Sequence, residues 1–119
     1  MRFSGVMVGS HDADRLGGFY TEVLGEQSYR FDSWYGWAGS GQLVIGAHDA
    51  VRAASAEPQR MLLMLEVDDV AGEFERLTAL GAEVVAAPYQ PDAGDGGWIA
   101  TLADPDGNYL QLHTRMSDN

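Results

Sequence analysis

Few residue types in this chain can do chemistry. Its 119 residues include no cysteine and no lysine. That rules out disulfides, thiolate nucleophiles, cysteine-ligated zinc and Schiff-base catalysis. Acid–base work is left to three histidines, the carboxylates and the tyrosines. His48 and His113 fall at strand-like segments, whereas His11 precedes a helix-capping aspartate. Glu66 lies near the end of an apolar strand-like run. A carboxylate facing inward there must be paired or protonated, and it is a candidate general base. Trp34 and Trp37 share one aromatic stretch, and Trp98 sits beside a glycine-rich run. Such rings suit stacking on a planar or cationic ligand.

Toward the end of the chain, Ala103-Asp104-Pro105-Asp106-Gly107-Asn108 reads as a tight turn. Pro105 presets φ, Asp104 bonds back to the backbone and Gly107 takes a positive φ. Beyond it, Leu110 and Leu112 alternate with Tyr109, Gln111 and His113, the period of a two-faced strand.

The elements that must position these residues repeat. Phe3–Gly9 reads as a strand and Ser10 or Asp12 as a helix cap. Leu16, Phe19, Tyr20, Val23 and Leu24 follow helical spacing, and Gly25 ends the helix. Strands follow near Gln27–Asp32, Trp34–Ala38 and Gln42–His48. The second half opens with a strand over Arg60–Val67, then Asp68 or Asp69 caps a helix bearing Val70, Phe74, Leu77 and Leu80. Gly81 ends that helix, and strands follow near Glu83–Tyr89, Gly97–Ala103 and Asn108–Thr114. The helix landmarks recur at an offset of about 55 residues, too few copies for a solenoid. One domain is expected: module one at about 1–48, a linker at about 49–59 and module two at about 60–115. The run Gly94–Gly97 is expected to form a hairpin loop or lid. The fold class is α+β, two βαβββ modules forming a concave mixed sheet with helices on the outside. A ferredoxin-like fold is the main alternative and has fewer strands per helix.

Composition narrows the partners. Eighteen acidic residues against seven arginines give a net charge of −11. A polyanion such as nucleic acid is repelled, whereas a cationic small molecule is favoured. No apolar run approaches the roughly 20 residues of a membrane-spanning helix. No secretory leader pattern opens the chain, so the expected location is cytoplasmic.

Two segments together, Phe19-Tyr20-Thr21-Glu22-Val23-Leu24-Gly25 and Asp104-Pro105-Asp106-Gly107-Asn108, resemble those of the vicinal oxygen chelate superfamily. This group includes glyoxalase I, extradiol dioxygenases, fosfomycin-modifying enzymes and bleomycin-resistance proteins. The second helix entry, Val67-Asp68-Asp69, fits the same pattern, and the likeness covers essentially the whole chain. The resemblance implies a divalent metal held inside the concave sheet. Its ligand positions map onto Gly5, Gly46, Leu62 and Gln111, so three of the four carry no donor side chain. A hard cation needs several oxygen or nitrogen ligands. The expectation is therefore the family's fold with no metal and no cofactor.

If Gln111 faces the cavity, alternation brings Tyr109 and His113 with it. The same parity places Val44, Gly46 and His48, then Gly5, Met7 and Gly9, then Leu62, Met64 and Glu66 on that side. Gly5 and Gly46 are expected to open volume where metal-dependent relatives carry side chains. The expected ligand-binding residues are Trp34, Trp37, His48, Glu66, Trp98, Tyr109, Gln111 and His113, with no catalytic residue assigned. The leading function is metal-free binding of a small molecule, aromatic or cationic, by a homodimer that covers its sheet edges. The alternative is a lyase, isomerase or dioxygenase-type enzyme with a divergent metal site or metal-free acid–base chemistry. A non-catalytic protein-interaction module is the third reading.

Overall fold

The computed structural model describes residues 1–39, 41–52, 54–91 and 96–114. Residues 94 and 95 of the expected glycine-rich loop lie outside that set, as does residue 115 at the expected end of module two. The chain divides into two compact units, Met1–Ala53 and Ala54–Asn119. Each carries one helix on a four-stranded mixed sheet.

The first unit runs β1 (Gly5–Ser10), α1 (Ala13–Leu24), β2 (Tyr29–Phe31), β3 (Trp34–Ala38) and β4 (Gln42–Ala47). The sheet order is β1-β4-β3-β2, with β1 parallel to β4 and the remaining pairs antiparallel. Asp12 caps α1 by accepting from the Arg15 N–H at 3.2 Å. Ser10 takes the supporting role, its Oγ accepting from the Asp12 N–H at 3.0 Å. Gly25 closes the helix at φ 92°, in the region that favours glycine.

Leu16, Gly17, Phe19 and Tyr20 of α1 are buried, as are Tyr35 and Trp37 of β3 and Ile45 of β4. Phe19 and Tyr20 meet edge-on at 5.1 Å, and Tyr35 stacks with Trp37 at 6.4 Å. Such aromatic pairs add roughly 0.5–1.5 kcal/mol each beyond their burial. The Tyr35 hydroxyl donates to Asp14 Oδ1 at 2.8 Å, and the Arg30 guanidinium lies 4.5 Å from its ring centroid.

Burial, then the hydrogen bond to Asp14, raises the Tyr35 phenol above its ordinary value of about 10. The folded state therefore holds this proton more tightly than the unfolded chain does. The associated stability is present below pH ~10 and is lost as the pH rises beyond it. Urea unfolding between pH 9 and 11.5 should show that falling slope. Tyr35→Phe should flatten it, and an unchanged slope in the variant would exclude Tyr35 as its source.

The second unit opens with a single 3₁₀ turn at Pro58–Arg60. It continues β5 (Leu62–Val67), α2 (Val70–Ala79), β6 (Glu83–Tyr89), β7 (Ile99–Ala103) and β8 (Tyr109–Thr114). Its order, β5-β8-β7-β6, repeats the first, again with one parallel pair, β5 with β8. Asp69, not Asp68, caps α2, accepting from the Gly72 N–H at 3.0 Å. Gly81 follows the helix at φ 97°. Val70 and Leu77 of α2 are buried, as are Ala100 and Leu102 of β7 and Leu110 and Leu112 of β8. Among the described residues, no helix is long and apolar enough to cross a membrane.

Candidate functional site

The turn before β8 is held by one buried carboxylate. Asp104 Oδ1 accepts from the N–H groups of Asp106 and Asn108, both at 2.9 Å. The Asn108 amide donates to both Asp104 oxygens, at 3.2 and 3.1 Å. Gly107 takes φ 83°, as the turn requires. This locks the start of β8, and with it the direction of each side chain beyond.

Alternation then does the positioning. Leu110 and Leu112 are buried on the α2 side, so Tyr109, Gln111 and His113 stand on the helix-free face, half-buried. The register places Leu62 beside Tyr109, Met64 beside Gln111 and Glu66 beside His113. On the other flank, Thr101 pairs with Gln111 and Ile99 with His113. The second sheet thus brings Glu66, Tyr109, Gln111 and His113 onto one face, beside exposed Leu62 and Met64.

His113 Nδ1 lies 2.9 Å from the Thr114 carbonyl oxygen. A carbonyl only accepts, so Nδ1 carries a proton, and in the neutral tautomer this leaves the lone pair on Nε2. Trp98 precedes β7 and is 45% exposed. Its backbone is clasped by Thr114: the Trp98 N–H donates to Thr114 Oγ1 at 2.7 Å, and the Thr114 N–H donates to the Trp98 carbonyl at 3.0 Å.

The first sheet departs from two expectations. Trp34 and Trp37 do not act together. They are three apart on one strand, so they point to opposite faces. Trp34 stands on the helix-free face, 38% exposed. Trp37 is buried under α1, its indole Nε1–H donating to the Gly25 carbonyl at 2.9 Å. Trp37 therefore belongs to the core and leaves the ligand-contact set.

Nor do Gly5 and Gly46 leave open volume. A Cβ built at Gly46 would stand 2.7 Å from Trp34 Cε3, so the indole already occupies that space. At Gly5 the space belongs to the Gln42 backbone and side chain. His48 lies one residue past β4, and its Cβ and ring cover Gly9 at the end of the same face.

The pattern extends to Tyr29, a residue absent from the expected ligand set. Tyr29 lies over Gly36, its hydroxyl donating to Gln42 Oε1 at 2.8 Å. A signal for it is present in the sequence: Asp32-Ser33 is a two-residue hairpin loop, and counting back from it pairs Tyr29 with Gly36. Asp32 accordingly takes φ 49°.

The family's divalent metal does not fit these residues. Two of its ligand positions are glycines whose side-chain space is filled, Leu62 is a hydrocarbon, and Gln111 offers one neutral amide. Within either unit, among the described residues, no three His, Asp or Glu side chains gather in a way that could hold a metal ion.

Comparison with known proteins follows the architecture. A family model described as a glyoxalase-like domain matches residues 5–113. A glyoxalase-related enzyme from Fulvimarina pelagi superposes with a TM-score of 0.76 at 22% identity, over 97% of this chain and 88% of that one. A glyoxalase/bleomycin resistance protein/dioxygenase family enzyme from Burkholderia phytofirmans PsJN gives 0.75 at 22% identity, over 95% and 98%. A genomically encoded fosfomycin resistance protein from Listeria monocytogenes gives 0.74 at 18% identity, over 98% and 94%. Likeness at these identities speaks for the fold alone, since one scaffold carries many chemistries. No curated protein matches the sequence. With the family model spanning nearly its whole length and the paired βαβββ units in place, this chain belongs to the glyoxalase-like domain family of the vicinal oxygen chelate superfamily.

Proposed function

We propose that this glyoxalase-like domain binds a small aromatic or cationic molecule on the helix-free faces of its sheets, without the family's metal centre. The observation that carries this reading is the Trp34 indole seated over Gly46. It puts a partly exposed aromatic ring where the family's pattern has a metal ligand. On the second sheet, taken by itself, exposed Trp98 and the row of Glu66, Tyr109, Gln111 and His113 offer aromatic and polar groups of the same kind. The net charge of −11 favours a cation. We further assign the protein to the cytoplasm, as a homodimer that covers exposed strand edges.

The test is a tryptophan-fluorescence titration with metal-free bleomycin, an aromatic cation named for some relatives of this fold. Saturable quenching is expected. Gly46→Ala, which displaces the indole, should weaken binding by about tenfold, the scale of one lost aromatic contact. Unchanged fluorescence at saturating bleomycin would overturn the aromatic-cation assignment. Tight stoichiometric binding of Ni²⁺, Mn²⁺, Fe²⁺ or Zn²⁺, abolished by His48→Ala or His113→Ala, would overturn the metal-free reading.

A second reading, acid–base catalysis, is favoured by the His113 tautomer. With Nδ1–H held by the Thr114 carbonyl, the neutral tautomer presents its Nε2 lone pair as a proton acceptor, on a residue next in register to Glu66. Turnover of an enolisable carbonyl compound, lost in His113→Gln, would select it.

A further inference from the structure

We propose that the cleft at the carboxyl ends of β1 and β4 binds a small oxyanion, a carboxylate or a phosphate, through Arg52 and His48. This site lies wholly in the first unit and does not rest on the function proposed above. β1 and β4 are parallel neighbours that finish together at the register pair Ser10 and Ala47. A crevice opens beyond the carboxyl ends of these two strands. Here it forms a cavity of about 290 Å³ whose lining includes Ser10, His11, His48, Asp49 and Arg52.

Two observations give the cleft its chemistry. The first is an uncompensated charge. Arg15, Arg30, Arg60 and Arg76 each have a carboxylate partner. Arg52 and Arg2 have none among the described residues, and of these two only Arg52 lines the cleft. The second is a preset ring. The Ala50 N–H donates to His48 Nδ1 at 3.2 Å. Nδ1 therefore holds its lone pair, and the neutral imidazole carries its proton on Nε2.

A guanidinium and an N–H donor lining one cleft suit an oxyanion, since hydrogen bonds to charged acceptors are the strong ones. Helix α1 begins at Ala13, just past His11, so its positive end lies at the same end of the sheet. Asp49 in the lining and Asp12 at the cap oppose an anion. They hold the expected dissociation constant to about 1 mM.

The test is a ¹H–¹⁵N NMR titration of the full chain at constant ionic strength, with inorganic phosphate and separately with acetate. Saturable shifts are expected at the amides of Ser10, His11, His48 and Val51. They should weaken at least tenfold in Arg52→Gln, survive in Arg52→Lys and stay unchanged in Arg60→Gln. Saturation by phosphate alone would identify a phosphate site, and by acetate alone a carboxylate site. Shifts that stay linear with both anions, or that persist in Arg52→Gln, would overturn the proposal. So would ¹⁵N ring shifts placing the neutral His48 proton on Nδ1.

Discussion

Asp104→Ala should destabilise the protein by about 2–4 kcal/mol, lowering the thermal midpoint on the order of 10 °C. The Asp104 side chain is 5% exposed as a residue and accepts from two backbone N–H groups and the Asn108 amide. Alanine strands those donors in a region where Asp106 is itself buried. An unsatisfied buried donor costs about 1–3 kcal/mol, far more than the net gain of an ordinary hydrogen bond. Asp104→Asn should fall between alanine and the parent. It keeps one acceptor oxygen but turns an amide donor toward the Asn108 amide. Urea unfolding measures all three. An alanine variant with the parent's midpoint would show that the carboxylate does not hold the turn. The functional consequence follows from chain order: Asn108 leads directly into Tyr109, so a loosened turn slackens the strand that carries Gln111 and His113.

Adjacent glycines in α1 should respond to alanine with opposite signs. Gly18 is exposed, and an alanine Cβ there would meet nothing within 4 Å. Gly18→Ala should stabilise by about 0.5–1 kcal/mol, the ordinary helix-propensity gain. Gly17 faces the sheet, and a Cβ there would stand 2.5 Å from Tyr35 Cδ1. Overpacking of that kind costs about 1–3 kcal/mol and outweighs the same propensity gain. The Tyr35 ring has little room to retreat, since it stacks on Trp37 and its hydroxyl is bound to Asp14. Gly17→Ala should therefore be destabilising by up to about 2 kcal/mol net, with weakened near-ultraviolet circular dichroism from the tyrosine–tryptophan stack. Two variants shifting the urea midpoint in the same direction would contradict this packing.

Much of the scaffold is legible from local chemistry. Asp12 and Asp69 cap the helices. Gly25, Gly81 and Gly107 take positive φ where a chain must end a helix or complete a turn. Strand boundaries shift by one or two residues. β4 ends at Ala47, opposite the last residue of β1, and the His48 N–H makes the closing bond to the Ser10 carbonyl at 3.1 Å. Parity on β8 was readable too, because Leu110 and Leu112 are the apolar alternates of a polar set.

Parity also separates Trp34 from Trp37, since residues three apart on a strand cannot share a face. It cannot say which ring is buried. That depends on the approach of α1, which Gly17 permits by leaving room for Tyr35 beside Trp37.

The sequence by itself determined two capped helices, the alternation of each strand, and the loss of donor side chains at Gly5, Gly46 and Leu62. Those depend on residue type and short spacing. Only the tertiary structure decided what fills the space a glycine leaves. Trp34 over Gly46, Tyr29 over Gly36 and His48 over Gly9 all arise from residues brought in by neighbouring strands or turns. The missing Cβ is a local fact, whereas the ring that takes its place is fixed by register and chain path. The vacancy expected on the first sheet is therefore an aromatic surface.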